Sequence, residues 1–157
     1  MITLRHTPLA GLLWIEPVVR TDERGIFLET YHRERYREAG IGLDFVQDNY
    51  SRSRKGVFRG FHYQDLTAPM AKLVRCSRGA VLDVVCWDRS DLGSLAPLEH
   101  ADMEYKCSGY YDPSAEQPIA WNDPEIAAAW PTKTPIVSSK DARGMTLAEY
   151  RTRPAFP

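Results

Sequence analysis

Apolar and polar positions alternate along most of this chain in short runs, and only one segment has helical spacing. Period-two runs with β-branched and aromatic residues predict strands over 26–30, 45–53, 57–64, 70–77, 80–87 and 103–111. Residues 33–39 (RERYREA), closed by Gly40, predict one short helix. Arg78-Gly79, between two strand runs, reads as a hairpin turn. Glycine and proline are scattered throughout, so many short elements are joined by turns. The pattern predicts an all-β chain, an antiparallel barrel or sandwich with little helix.

Strand parity then places the polar side chains. Along 45–53, Gln47, Asn49 and Ser51 share a face, because strand side chains alternate. Lys72 points with Val74 and Cys76, and Tyr105 with Cys107 and Tyr111. A small barrel with such residues facing inward would hold a polar ligand, since buried polar groups need partners. Solvent-facing sides of a sandwich would show the same alternation, and parity does not separate the two. In 57–64 a regular strand puts His62 with Phe58 and Gly60, and Arg59 on the other face. A site using both Arg59 and His62 therefore needs an irregular strand, and Gly60 is where a bulge would fall.

Composition narrows the class. The 157 residues suit one domain over 1–157 with its own core. Twenty basic residues against 21 acidic ones leave a net charge of −1, which argues against a polymeric nucleic acid as partner. A 43% hydrophobic and 26% charged composition argues against disorder, and no apolar run approaches membrane-spanning length. The apolar run 9–15 lacks a basic leader and a small-residue cleavage site, so it makes a poor signal peptide. Cys76, Cys86 and Cys107 fall within strand runs, and we read them as reduced core thiols of a cytoplasmic protein.

The four histidines form no HxH or HxxxH pair and no CxxC is present, so no metal is expected. No GxSxG turn supports a serine nucleophile. His62 stands out by its company: Arg59, Gln64 and, one strand later, Lys72. A neutral imidazole moves protons at pH 7, a lysine stabilises an oxyanion, and a phenol such as Tyr105 both donates and accepts.

Seven stretches, in order from residue 22 to residue 141, resemble one family. They are DERGIFLE (22–29), FVQDNYSRS (45–53), GVFRGFHYQ (56–64), AKLVR (71–75), YKCSGYY (105–111), WNDP (121–124) and SSKD (138–141). Together they resemble the dTDP-4-dehydrorhamnose 3,5-epimerases, cupin-type antiparallel jelly-roll barrels. The resemblance implies a cofactor-independent isomerase of deoxysugar biosynthesis that inverts C3, C5 or both in a dTDP-4-keto-6-deoxyhexose. It also implies a homodimer, with no metal.

By the same resemblance His62 is the proton acceptor and Tyr105 the donor on the opposite face of the sugar. Lys72 lies near the C4 carbonyl, and Asp141 orients the histidine. Arg24, Glu29, Gln47, Asn49, Arg59 and Glu116 hold the nucleotide diphosphate or the sugar, and Tyr111 stacks on the thymine. The chemistry asks for these residue types. Protons at C3 and C5 are both α to the ketone, so one enolate chemistry serves both carbons. Inversion needs a base on one face and an acid on the other.

Two departures from the family pattern stand out. Met70 replaces the glutamine that usually precedes the AKLV run. Between Trp87 and Met103 the chain is shorter than the family by about 25–30 residues, two or three strands with their turns at ordinary lengths. The break is expected after Ser94, and the absent stretch includes a histidine that the family uses near the substrate. Loss of inner strands is expected to leave unpaired ladder edges and an open core. This makes a non-catalytic sugar-nucleotide-binding cupin the competing expectation.

Overall fold

The structure is a computed structural model and describes residues 2–85 and 92–156. Their internal packing divides into two compact units, one up to Asp44 and one from Phe45 onward.

In the N-terminal unit, β1 (Thr3–His6) pairs with β2 (Leu13–Glu16), and β3 (Val19–Asp22) pairs with β4 (Gly25–Leu28), both antiparallel. Helix α1 (Arg33–Glu38) follows, with His32 as its N-cap accepting the Arg35 N–H. Its Tyr36 is buried, with the hydroxyl donating to the Thr30 carbonyl.

The second unit holds two antiparallel sheets. One has β5 (Gln47–Arg54), β10 (His100–Cys107) and β7 (Lys72–Arg78), with β10 in the middle. The other runs in the order β11 (Glu116–Pro118), β6 (Phe58–Gln64), β9 (Leu92–Leu95) and β8 (Leu82–Val85). The links β5–β6, β6–β7, β7–β8 and β9–β10 each carry the chain from one sheet to the other. Such alternation is the winding of a jelly roll. A 3-10 turn at Asp141–Arg143 and helix α2 (Leu147–Thr152) complete the unit. Helix α2 opens with a reciprocal capping box between Thr146 and Glu149.

The apolar core lies on one face of the β6 sheet. Phe58, Phe61, Tyr63, Leu95, Ile119 and Tyr150 are buried there, with Trp121, Trp130, Met145 and Leu147 packed against them. Phe58 sits edge-on to both Phe61 and Trp130. Parity turns His62 and Gln64 away from Tyr63, toward the other face.

Several expectations need correction. Arg78-Gly79 does not make a hairpin, because β7 pairs with β10 while β8 pairs with β9; the chain turns there between sheets. Gly79 has φ +80°, and a Cβ on it would lie 2.3 Å from the His100 carbonyl oxygen. Strand β10 starts earlier than predicted and ends at Cys107, so Tyr111 lies beyond it and parity does not orient it. Cys76 is exposed, unlike the buried Cys107, and Cys86 falls outside the described residues. The expected ladder break is absent at β9, which pairs with β6 on one side and β8 on the other.

Candidate active site

The irregularity expected in β6 is present. The register with β9 shifts between Arg59 and His62, and Gly60 between them has φ +129°. A left-handed glycine lets the strand re-aim its side chains there. Arg59 donates through Nε to Ser53 Oγ of β5 and through Nη2 to the Arg52 carbonyl, which ties the two sheets together. It also lies close enough to Tyr105 for its charge to act on the phenol.

His62 stands between two carboxylates. Its Nε2 is 2.7 Å from Asp141 Oδ1, and its Nδ1 is 3.8 Å from Glu116 Oε1. Both acids are largely shielded from solvent. Burial pushes the Asp141 carboxyl up, but the hydrogen bond and charge of His62, with hydrogen bonds from Ser138 and the Gly60 N–H, outweigh it and hold the group below the usual carboxylate range. Asp141 is therefore an anion at neutral pH and accepts from Nε2–H, which leaves the Nδ1 lone pair for a proton. The turn that delivers Asp141 is fixed locally, since its backbone N–H donates to Ser138 Oγ.

Glu116 enters from β11, opposite Gln64 of β6. Its second oxygen, Oε2, accepts from Tyr111 Oη at 2.9 Å and forms an ion pair with Lys140 Nζ. The Tyr111 backbone N–H donates to Gln47 Oε1 of β5, so Tyr111 spans from one sheet to the other.

The β5–β10–β7 sheet supplies the remaining residues. Register places Asn49 and Val74 opposite Tyr105, and Gln47 and Lys72 opposite Cys107, so these side chains share one face. Gln47 Nε2 donates to Asn49 Oδ1, and Asn49 Nδ2 donates to Cys107 Sγ. Burial first, and then Cys107, push the Tyr105 hydroxyl up, against a smaller lowering by Arg59. The phenol keeps its proton at neutral pH, as a donor must. Burial likewise pushes the Cys107 thiol up, against the pull of Lys72 and Asn49. Cys107 is a neutral thiol packed among these polar groups.

The second unit thus brings together His62, Asp141, Glu116 and Tyr111 on one side, and Tyr105, Lys72, Gln47 and Asn49 on one sheet face, with Arg59 between the sheets. Arg24 and Glu29 belong to the N-terminal unit, where Arg24 pairs with Asp22 and Glu29 with Arg35. Ser53, Ser138 and Lys140 also border the site, and the sequence does not single them out. Lys140 has the clearest signal, its place next to Asp141. Among the described residues no group of three His, Cys, Asp or Glu side chains is arranged to hold a metal ion. No helix among them is long and apolar enough to cross a membrane.

A sequence profile of the family described as dTDP-4-dehydrorhamnose 3,5-epimerase matches residues 6–91 and 92–149. The match breaks between Asp91 and Leu92, three residues before the expected place, which leaves β9 on its far side. The chain is 37% identical to a dTDP-4-dehydrorhamnose 3-epimerase of Streptomyces niveus, over 98% of its length and 88% of the relative's. That alignment runs over 182 positions against a chain of 157 residues, so at least 25 positions have no counterpart here. It is 36% identical to the dTDP-4-dehydrorhamnose 3,5-epimerase of Salmonella typhimurium, over 94% of this chain and 96% of that one. Among solved structures it resembles NovW, a 4-keto-6-deoxy sugar epimerase from the novobiocin biosynthetic gene cluster of Streptomyces spheroides. That similarity has a TM-score of 0.88 and 35% identity, covering 100% of this chain and 93% of NovW. The fold is accordingly a cupin-type jelly roll, and the chain belongs to the dTDP-4-dehydrorhamnose 3,5-epimerase family.

Proposed function

We propose that this epimerase acts on a dTDP-4-keto-6-deoxyhexose, with His62 as the base and Tyr105 as the acid on the opposite face of the sugar ring. The observation that carries this reading is the 2.7 Å contact between His62 Nε2 and Asp141, which fixes the tautomer that leaves Nδ1 able to accept. His62 removes the proton α to the ketone, electrons move onto the C4 oxygen, and Lys72 stabilises the enolate. Tyr105 then donates to the same carbon from the other side. A positioned acid or base contributes typically 10²–10⁴-fold, and an oxyanion donor roughly 3 kcal/mol, so all three act together.

Gln47, Asn49 and Arg59 are proposed to hold the sugar and diphosphate, and the guanidinium fork of Arg59 suits phosphate oxygens. Tyr111 is proposed to stack on the thymine, and Glu116 to border the sugar beside His62. Arg24 and Glu29 are proposed as nucleotide contacts on their matching family positions alone. We further propose a cytoplasmic homodimer in which residues 1–157 work as a single functional domain.

Incubation with a dTDP-4-keto-6-deoxyhexose in deuterium oxide, read by NMR, tests the reading. Deuterium is expected at C3, C5 or both, and label at one carbon only identifies a mono-epimerase. Binding of the nucleotide sugar with no label at either carbon would overturn it in favour of a non-catalytic binding cupin.

A further inference from the structure

One short segment reaches His62 by two routes. Asp141 touches Nε2 directly. Lys140, its chain neighbour, pairs with Glu116 Oε2, while Glu116 Oε1 faces Nδ1 at 3.8 Å. Tyr111 Oη donates to the same Oε2. Two donors thus fix one carboxylate oxygen and turn the other toward the nitrogen that accepts the proton.

We propose that Lys140 is a positioning residue: through Glu116 it sets where a second carboxylate stands against His62 Nδ1, and so how readily His62 holds a proton. When His62 takes a proton on Nδ1, the imidazolium gains an N–H aimed toward Oε1. A small closing movement converts the 3.8 Å approach into a charge-assisted hydrogen bond. Glu116 then stabilises the product of proton removal, and Lys140 keeps it from overstabilising the charged imidazole beforehand. The catalytic consequence rests on the epimerase reading; the effect on His62 does not.

The charged and titratable groups around His62 are few. Asp141 reaches it from the 3-10 turn and Glu116 from β11, with Lys140 and Tyr111 behind Glu116. Arg59 shares its strand, and Tyr105, Lys72 and Cys107 occupy the sheet face that Arg59 approaches. Of these, only Glu116 faces Nδ1 within 4 Å among the described contacts. Lys140 is part-exposed, so its influence is smaller and screened.

The test is an NMR titration of the His62 ring in the full chain, comparing Glu116→Gln, Lys140→Met and Lys140→Arg. The midpoint is expected to fall in Glu116→Gln, where a neighbouring anion is lost. It is expected to rise, by less, in Lys140→Met, where the cation offsetting that anion is lost. Lys140→Arg should leave it unchanged. Opposite shifts in two variants are not the signature of general unfolding. Unmoved midpoints in both, or shifts of the same sign, would overturn the proposal. Deuterium wash-in with the same wild-type sample reads the epimerase function separately, so a silent enzyme with shifting midpoints would reject the function and keep the relay.

Discussion

His62 and Asp141 are 79 residues apart in the chain and 2.7 Å apart in the fold. The contact joins the strand beside the Gly60 irregularity to the 3-10 turn near the C-terminus. Asn at position 141 would keep the shape, but its amide nitrogen could present a donor to Nε2 and favour the other tautomer. Asp141→Asn is therefore expected to lower kcat/KM by about 10²–10⁴-fold with little change in fold. Steady-state kinetics beside a circular dichroism spectrum check this.

The same carboxyl has a consequence for stability. Its value is depressed in the folded chain, so its contribution is present above the unfolded value near 4 and is lost as pH falls through the folded value. Urea unfolding should show wild type more stable than Asp141→Asn at pH 7, with the gap closing below about pH 4. A gap that does not change with pH would contradict the sign.

Tyr105→Phe removes the acid while leaving the base. Inversion is expected to fall by about 10²–10³-fold, within the range for a lost proton donor. Exchange of the substrate proton through His62, with return to the same face, should survive. NMR in deuterium oxide distinguishes label retained in substrate from label in the epimer.

Gly79→Ala tests the turn between sheets. The position has φ +80°, and the added Cβ would meet the His100 carbonyl. Backbone cannot yield as a side-chain tip can, so a loss above about 1 kcal/mol is expected in urea unfolding. Phe58→Ala, at the centre of the aromatic cluster, should cost about 3–5 kcal/mol in the same measurement.

What the sequence makes legible depends on the physics involved. Strands β5, β6 and β7 are legible from their own residues to within two positions at each end, and β5 alternates in burial although both of its faces are polar, with Gln47, Asn49, Ser51 and Ser53 on the more buried side. Parity alone identified the conflict between Arg59 and His62 and located its relief at Gly60, since two-residue periodicity is strict. Hairpin β1–β2 and the short strands β9 and β11 escaped, for four residues or fewer give little period to count. Helix α2 is hard to read although Thr146 and Glu149 carry a capping-box spacing, because its six residues offer a single i,i+3 apolar pair, Leu147 and Tyr150, too short a pattern to count. Arg78-Gly79 carries the signature of a hairpin without making one, since local turn chemistry does not tell which strand the chain joins next. The meeting of His62, Glu116 and Lys140 depends on the packing of β11 and the C-terminal turn against β6. No spacing in the chain encodes it.

The most direct test of the central claim compares wild type and His62→Ala side by side in deuterium oxide with a dTDP-4-keto-6-deoxyhexose, following label at C3 and C5. Wild type is expected to incorporate deuterium, and His62→Ala to do so about 10²–10⁴-fold more slowly. Equal rates of labelling in the two proteins would contradict the assignment of His62 as the base.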